Sequence, residues 1–210
     1  AAGHFESHVV EGVQPQLSVL ELLDALNEQL IDGGQEPVAF ESDCREGICG
    51  ACGVTVDGEV HGPEDNVPSC HQRLTGYADG ATVRIEPLRA AAFPVVRDLI
   101  VDRDALDVLI RAGGHVGVDA GTAPDADAVP VGGEVAEQAL DFAACLGCGG
   151  CVAACPNGAA HLFAGSKLAH LSLLPLPSLE RRRRSLAIVD ELEEFFGPCS
   201  HYGECARACP

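Results

Sequence analysis

The chain has 210 residues, 47% of them hydrophobic, and a formal net charge of −19 at pH 7. The apolar share is enough for one or two globular cores, while the acidity opposes nucleic acid or an anionic lipid surface as the main partner. No stretch approaches roughly eighteen consecutive apolar residues and the N-terminus has no basic-then-apolar leader, which predicts neither a membrane span nor export and places the chain in the cytoplasm.

In chain order, residues 5–10 (FESHVV) read as a short strand from their β-branched and aromatic content. A helix follows, with Ser18 as N-cap, Glu21 closing a capping box and Leu17 with Leu22 as a hydrophobic staple. Val19, Leu22, Leu23, Leu26 and Leu30 form its predicted apolar stripe, and Gly33–Gly34 ends it. After a cysteine-rich loop, residues 53–60 read as a hairpin turned at Asp57–Gly58, and residues 81–86 as a further strand. The order of strand, helix, cysteine loop, hairpin and strand is that of a β-grasp ferredoxin. Such a fold opens with a hairpin, of which one strand fits here. With no Met anywhere and a stop directly after a cysteine motif, the sequence is expected to be trimmed.

Beyond a connector at 86–94 the character changes. Val95, Val96, Leu99 and Ile100, then Leu106, Leu109 and Ile110, suggest short amphipathic helices. Residues 113–133 form a Gly/Pro/Ala/Asp excursion on the surface. Helices are predicted at 133–144, 164–170 and 179–196, with a proline turn at 174–177 between the last two. Arg181 to Arg184 are read as a solvated helix face rather than a lipid-phosphate site. The predicted class is α+β, with a β-grasp 2Fe-2S ferredoxin-like domain over 1–93 and an all-helical dicluster ferredoxin-like domain over 94–210.

The eleven cysteines carry the chemistry. They are bunched at short intervals, which suits metal coordination better than disulfide cross-links. Cys145, Cys148, Cys151 and Cys155 before Pro156 have the C-x2-C-x2-C-x3-C-P spacing of bacterial ferredoxins, whose fourth cysteine ligates the other of two clusters. The partner group is Cys199, Cys205 and Cys209. Crossed ligation assigns Cys145, Cys148, Cys151 and Cys209 to a 4Fe-4S cluster. Cys155, Cys199 and Cys205 remain for the other, where Tyr202 stands in place of a fourth thiolate; three ligands suit a 3Fe-4S cluster. A labile fourth iron held by water or Tyr202 is the weaker reading. Cys44, Cys49, Cys52 and Cys70 have the C-x4-C-x2-C…C spacing of plant-type 2Fe-2S proteins. A four-cysteine zinc site is the rival there, disfavoured by the first spacing and the glycines in the loop. His71, beside Cys70, reads as structural, because a Rieske site needs two histidines on one iron. No catalytic carboxylate pair or nucleophile is evident.

DCREGICGACG at 43–53, HGPE at 61–64, CLGCGGCVAACPNG at 145–158 and the terminal C-x5-C-x3-CP together resemble the iron-sulfur subunit of succinate dehydrogenase and fumarate reductase. The resemblance implies a flavoprotein partner carrying covalent FAD, membrane-anchor subunits that can carry haem, and a quinone site shared with the anchors. Electrons would pass from FAD through 2Fe-2S and 4Fe-4S to 3Fe-4S and then to quinone. The chain would be peripheral, on the cytoplasmic face of the inner (plasma) membrane. Pro156, Asn157, Ser200, His201 and Tyr202 would lie near the quinone. Many family members have serine, tryptophan and histidine where this chain has Asn157, Ala160 and Ser200; Pro156 is kept, and His201 is one residue from the family position. Rival functions are a quinol:fumarate reductase subunit, a subunit of another flavin dehydrogenase, and a soluble multi-cluster ferredoxin.

Overall fold

The protein is described by a computed structural model covering residues 3–115 and 131–210. Helix α1 spans Val19–Asp32 and starts as its sequence dictates. The Glu21 amide donates to Ser18 Oγ at 3.2 Å and the Ser18 amide donates to Glu21 Oε2 at 2.6 Å, a reciprocal cap that contributes on the order of 1 kcal/mol. Val19, Leu20, Leu23 and Leu30 are buried, whereas Leu22 and Leu26 of the predicted stripe are half-buried. Leu20 lies outside that stripe. It joins Leu23 against Cys52 and Cys70, while Val19 packs with Val54, Val56 and Leu74. The helix thus buries two faces, one on the sheet and one on the cysteine loop.

The sheet has three antiparallel strands, β1 (Val54–Val56), β2 (Glu59–Val60) and β3 (Ile85–Pro87), in the order β2-β1-β3. The hairpin turns at Asp57 and Gly58, with φ of 52° and 88°, the left-handed pair that a two-residue turn between twisted strands requires. Strand β3 starts at Ile85, later than the sequence suggests.

Two expectations fail. Residues 5–10 form no strand; the Val9 carbonyl accepts instead from the Gln29 side chain at 2.7 Å. Residues 95–101 form no helix but the hairpin β4 (Val95–Arg97) and β5 (Ile100–Val101). Short runs of Val and Ile fit either period, and β-branched residues favour the pleat. Asp98 takes φ 46° at the turn, and its carboxylate accepts from the Ala39 amide at 2.8 Å, which pins the hairpin to the first core.

The rest is helical among the described residues: α2 (Asp104–Leu109) running into a π-helical turn at Ile110–Gly114, α3 (Gly133–Ala143), α4 (Gly150–Ala154), α5 (His161–Leu173), α6 (Ser178–Phe195) and α7 (Glu204–Arg207). The excursion expected at 113–133 lies largely outside the described residues. Helix α3 packs on α5, α5 on α6, and α4 on α7 and on β2. Their shared core centres on Phe93, Leu109, Val152, Phe163 and Ile188; each fully buried side chain of this size contributes roughly 1.5–3 kcal/mol. Leu88 and Phe93 reach into this second core from the connector, whereas Leu99 packs on the first.

The arginine run is not a wholly solvated face. Arg184 is 6% exposed, with Nε paired to Glu180 Oε1 at 2.8 Å and Nη1 donating to the His115 carbonyl at 2.9 Å. A glutamate one turn earlier makes that burial affordable.

Candidate iron-sulfur centres

All eleven cysteines are free thiols. The first loop wraps a sulfur in backbone N–H groups: Glu46, Ile48 and Cys49 amides donate to Cys44 Sγ at 3.3, 3.4 and 3.3 Å. These donors, that of Glu46 foremost, lower the Cys44 thiol to about 7, because a thiolate accepts such bonds better than a thiol. Ala51 N donates to Cys49 Sγ at 3.5 Å. Burial acts oppositely on Cys52, pushed up to about 12, with Cys70 and Cys49 as charged neighbours. Cys44, Cys49, Cys52 and Cys70 therefore feel one another as a set.

In the second group, burial pushes Cys151 up to about 12, and the thiolates of Cys148, Cys145 and Cys209 raise it further. Cys148 and Cys209 are raised by burial as well, each sensing Cys145. The distant Cys209 is thus brought beside the 145–151 run, as α7 packs on α4. Asn66 holds that end of the chain: its Nδ2 donates to the Cys209 carbonyl at 2.7 Å and the Ala206 carbonyl at 3.1 Å. Arg207 adds an ion pair to Glu59 at 2.7 Å.

Cys155, Cys199 and Cys205 line one cavity of about 200 Å³. Pro156, Ser200, His201 and Tyr202 line it too, and Tyr202 remains 60% exposed. Asn157 does not. Its Nδ2 donates to the Pro198 carbonyl at 2.9 Å and Ser200 Oγ at 2.8 Å, tying the two cysteine segments together. His161 and Glu204 also line the cavity and escaped the sequence reading; the helix start after CPNGAA was the available signal for His161.

Thiols inside amide-lined loops fit iron-sulfur clusters, whose negative sulfurs are stabilised by inward N–H groups. At Cys52, Cys148, Cys151 and Cys209 desolvation opposes the thiolate, which a bound cation would favour. Among the described residues, no three His, Cys, Asp or Glu side chains are gathered to hold one metal ion.

Three polar residues are buried without any local sequence pattern that marks their burial. Gln72 donates Nε2 to the Glu64 carbonyl at 2.7 Å and the Val67 carbonyl at 3.1 Å, bracing the loop before Cys70. Ser69 Oγ accepts from Val54 N at 3.2 Å and lies 3.2 Å from His61 Nδ1. The His61 ring is 2% exposed, and burial, then the Arg103 charge, lowers it to about 4. His71 is exposed, packed over Gly47.

A family model described as a 2Fe-2S iron-sulfur cluster binding domain matches residues 1–107, and one described as a 4Fe-4S dicluster domain matches 144–210. The chain is 33% identical over 199 residues to the fumarate reductase iron-sulfur subunit of Mycobacterium tuberculosis, covering 92% of this chain and 74% of that protein. It is 26% identical over 206 residues to the succinate dehydrogenase iron-sulfur subunit of Bacillus subtilis, covering 94% and 76%. Its fold is similar to a chain of the Mycobacterium smegmatis Sdh1 complex in the apo form, with a TM-score of 0.70 at 20% identity over 94% of this chain and 79% of that one. Fold, cysteine pattern and relatives converge: the chain belongs to the family of iron-sulfur subunits of succinate dehydrogenase and fumarate reductase.

Proposed function

We propose that this chain is the electron-transfer subunit of a membrane-bound succinate:quinone oxidoreductase, passing single electrons from a flavoprotein carrying FAD to quinone. The ligand sets are Cys44, Cys49, Cys52 and Cys70 for 2Fe-2S; Cys145, Cys148, Cys151 and Cys209 for 4Fe-4S; and Cys155, Cys199 and Cys205 for 3Fe-4S. Bound there, the clusters supply one-electron storage at three stations. The chain's own residues supply the rest. Amides hold negative charge at Cys44, burial keeps water from Cys52, Cys70 and Cys148, and glycines let the loops close on one another.

One observation carries the reading: the three cysteine sets follow in series. The first loop lies against the second through Gly50 and Cys148, and the second joins the third through the short segment 152–154 of α4. The domain division proposed at 93/94 is crossed in both directions, Leu88 and Phe93 of the connector packing in the second core and Leu99 beyond it in the first. Membrane-anchor subunits complete the assembly. Among the described residues no helix is long and apolar enough to cross a membrane, which suits a peripheral subunit held on the cytoplasmic face. In this reading Pro156, Ser200, His201 and Tyr202, which share the cavity of Cys155, Cys199 and Cys205, lie on the quinone side.

Electron paramagnetic resonance of the oxidised assembly tests the assignment. An oxidised-state 3Fe-4S signal is expected, and Tyr202→Cys should convert it toward 4Fe-4S. A wild-type protein with iron and sulfide but no such signal would overturn the third ligand set. The Mycobacterium tuberculosis relative carries the name of a fumarate reductase, and a quinol:fumarate reductase is the second reading. Succinate-dependent quinone reduction by the purified assembly separates the two.

A further inference from the structure

Where the first and second cysteine loops meet, backbone lies on backbone. A Cβ at Gly50 would stand 2.5 Å from the Leu146 carbonyl oxygen and 3.0 Å from Cys148 N, and Gly50 has φ 73°. The Arg103 side chain donates to both loops at this junction. Arg103, which precedes α2, donates from Nη1 to the carbonyls of Gly50 at 2.8 Å and Cys148 at 3.1 Å. Its Nη2 donates to the Ala51 carbonyl at 3.2 Å and the Glu41 carboxylate at 2.5 Å. The side chain is 18% exposed.

A planar guanidinium can bind carbonyls from two loops at fixed angles; a lysine ammonium would hold the charge without the fork. Gly50 and Ala51 lie between Cys49 and Cys52, and Cys148 is itself a proposed ligand. The two carbonyls on Nη1 thus belong to the backbone where the loops of the two sets meet. Tunnelling falls steeply with distance, so small movements at this contact change the rate of passage.

We propose that Arg103 is the positioning residue for electron transfer between the first and second cysteine sets, fixing the Gly50–Cys148 contact and placing a positive charge between two negatively charged groups. The proposal rests on the cluster assignment above. The step moves one electron, oxidising the group held by Cys44, Cys49, Cys52 and Cys70 as that held by Cys145, Cys148, Cys151 and Cys209 is reduced. No bond breaks and no proton is transferred.

The test compares wild type, Arg103→Ala and Arg103→Lys in the purified assembly. Iron and acid-labile sulfide are assayed, both groups are titrated potentiometrically, and electron passage is timed by freeze-quench paramagnetic resonance after mixing with reductant. Arg103→Ala should lower the reduced-to-oxidised ratio at fixed poise about tenfold, near 59 mV for a one-electron couple. Arg103→Lys should keep wild-type potentials yet slow passage about tenfold, because the charge remains and the fork is lost. A lysine variant with full cluster content and the wild-type rate overturns the proposal, and so does an alanine variant with unchanged potentials. Should Arg103→Ala not fold, the lysine variant decides alone. Absence of acid-labile sulfide from the wild type would overturn the cluster assignment and this role together, and is distinguishable because it appears without any substitution.

Discussion

The cysteines near the start of the chain and those near its end sit in opposite settings. Cys52 and Cys70 are buried against Leu20 and Leu23 of a capped helix, in a loop whose amides already face sulfur. Cys199 is exposed, Cys209 is exposed as a residue with only its thiol partly desolvated, and α7 between them buries no residue of its own. The first site is shaped by an ordinary protein core and the last by tethers: Asn66, Arg207 and the thiols themselves. The same ligand chemistry is therefore expected to depend on iron to different degrees.

Iron removal should expose that difference most strongly. After chelation under reducing conditions, amides of residues 204–207 should lose at least about a hundredfold of their hydrogen-exchange protection, while those of α1 and β1 keep most of theirs. Equal loss in both regions, read by mass spectrometry, would erase the distinction. Next in size is Gly50→Ala, which meets the Leu146 carbonyl and demands a left-handed φ; about 3 kcal/mol of destabilisation is expected in denaturant titration. Asn66→Ala should cost roughly 1–2 kcal/mol, seen as faster exchange at 204–207 with α1 unaffected.

The smallest effect is pH-dependent. His61 folds neutral, with its value lowered to about 4, so the unfolded chain binds a proton more readily than the folded one. The stability from neutral His61 is fully present above its ordinary value of about 6.5 and is lost as pH falls toward 4. Between pH 7.5 and 5.5 about 1 kcal/mol should disappear, and His61→Gln should flatten that slope in denaturant titrations.

What could be read from the sequence was local. The Ser18–Glu21 box, the Asp57–Gly58 turn and the cysteine spacings each lie within a few residues, and each specifies its own geometry. Helices α2, α3 and α6 likewise announce themselves by period. Residues 5–10 and 95–101 misled because a strand exists only through its pairing: among the described residues the first run pairs with no strand, and the second pairs across Asp98. His61, Gln72, Arg103 and Arg184 were hidden for a related reason. Polar side chains are buried by partners far along the chain, such as Gly50 and Cys148 for Arg103, and no local pattern marks them. Cys209 is the exception, legible at long range because crossed ligation is a rule of the spacing itself.

The Asn66 tether also bears on the order of biosynthesis. Cys44 to Cys70 and the core behind them have all been made while most of the chain is still to come. In the proposed ligand sets Cys145, Cys148 and Cys151 must wait for Cys209, and the tether that seats Cys209 begins at Asn66, in the loop after β2. In the proposed ligand sets, the first site can thus be filled on a nascent chain. The other two become available for iron only after the segment 199–209 has left the ribosome and folded back onto Asn66.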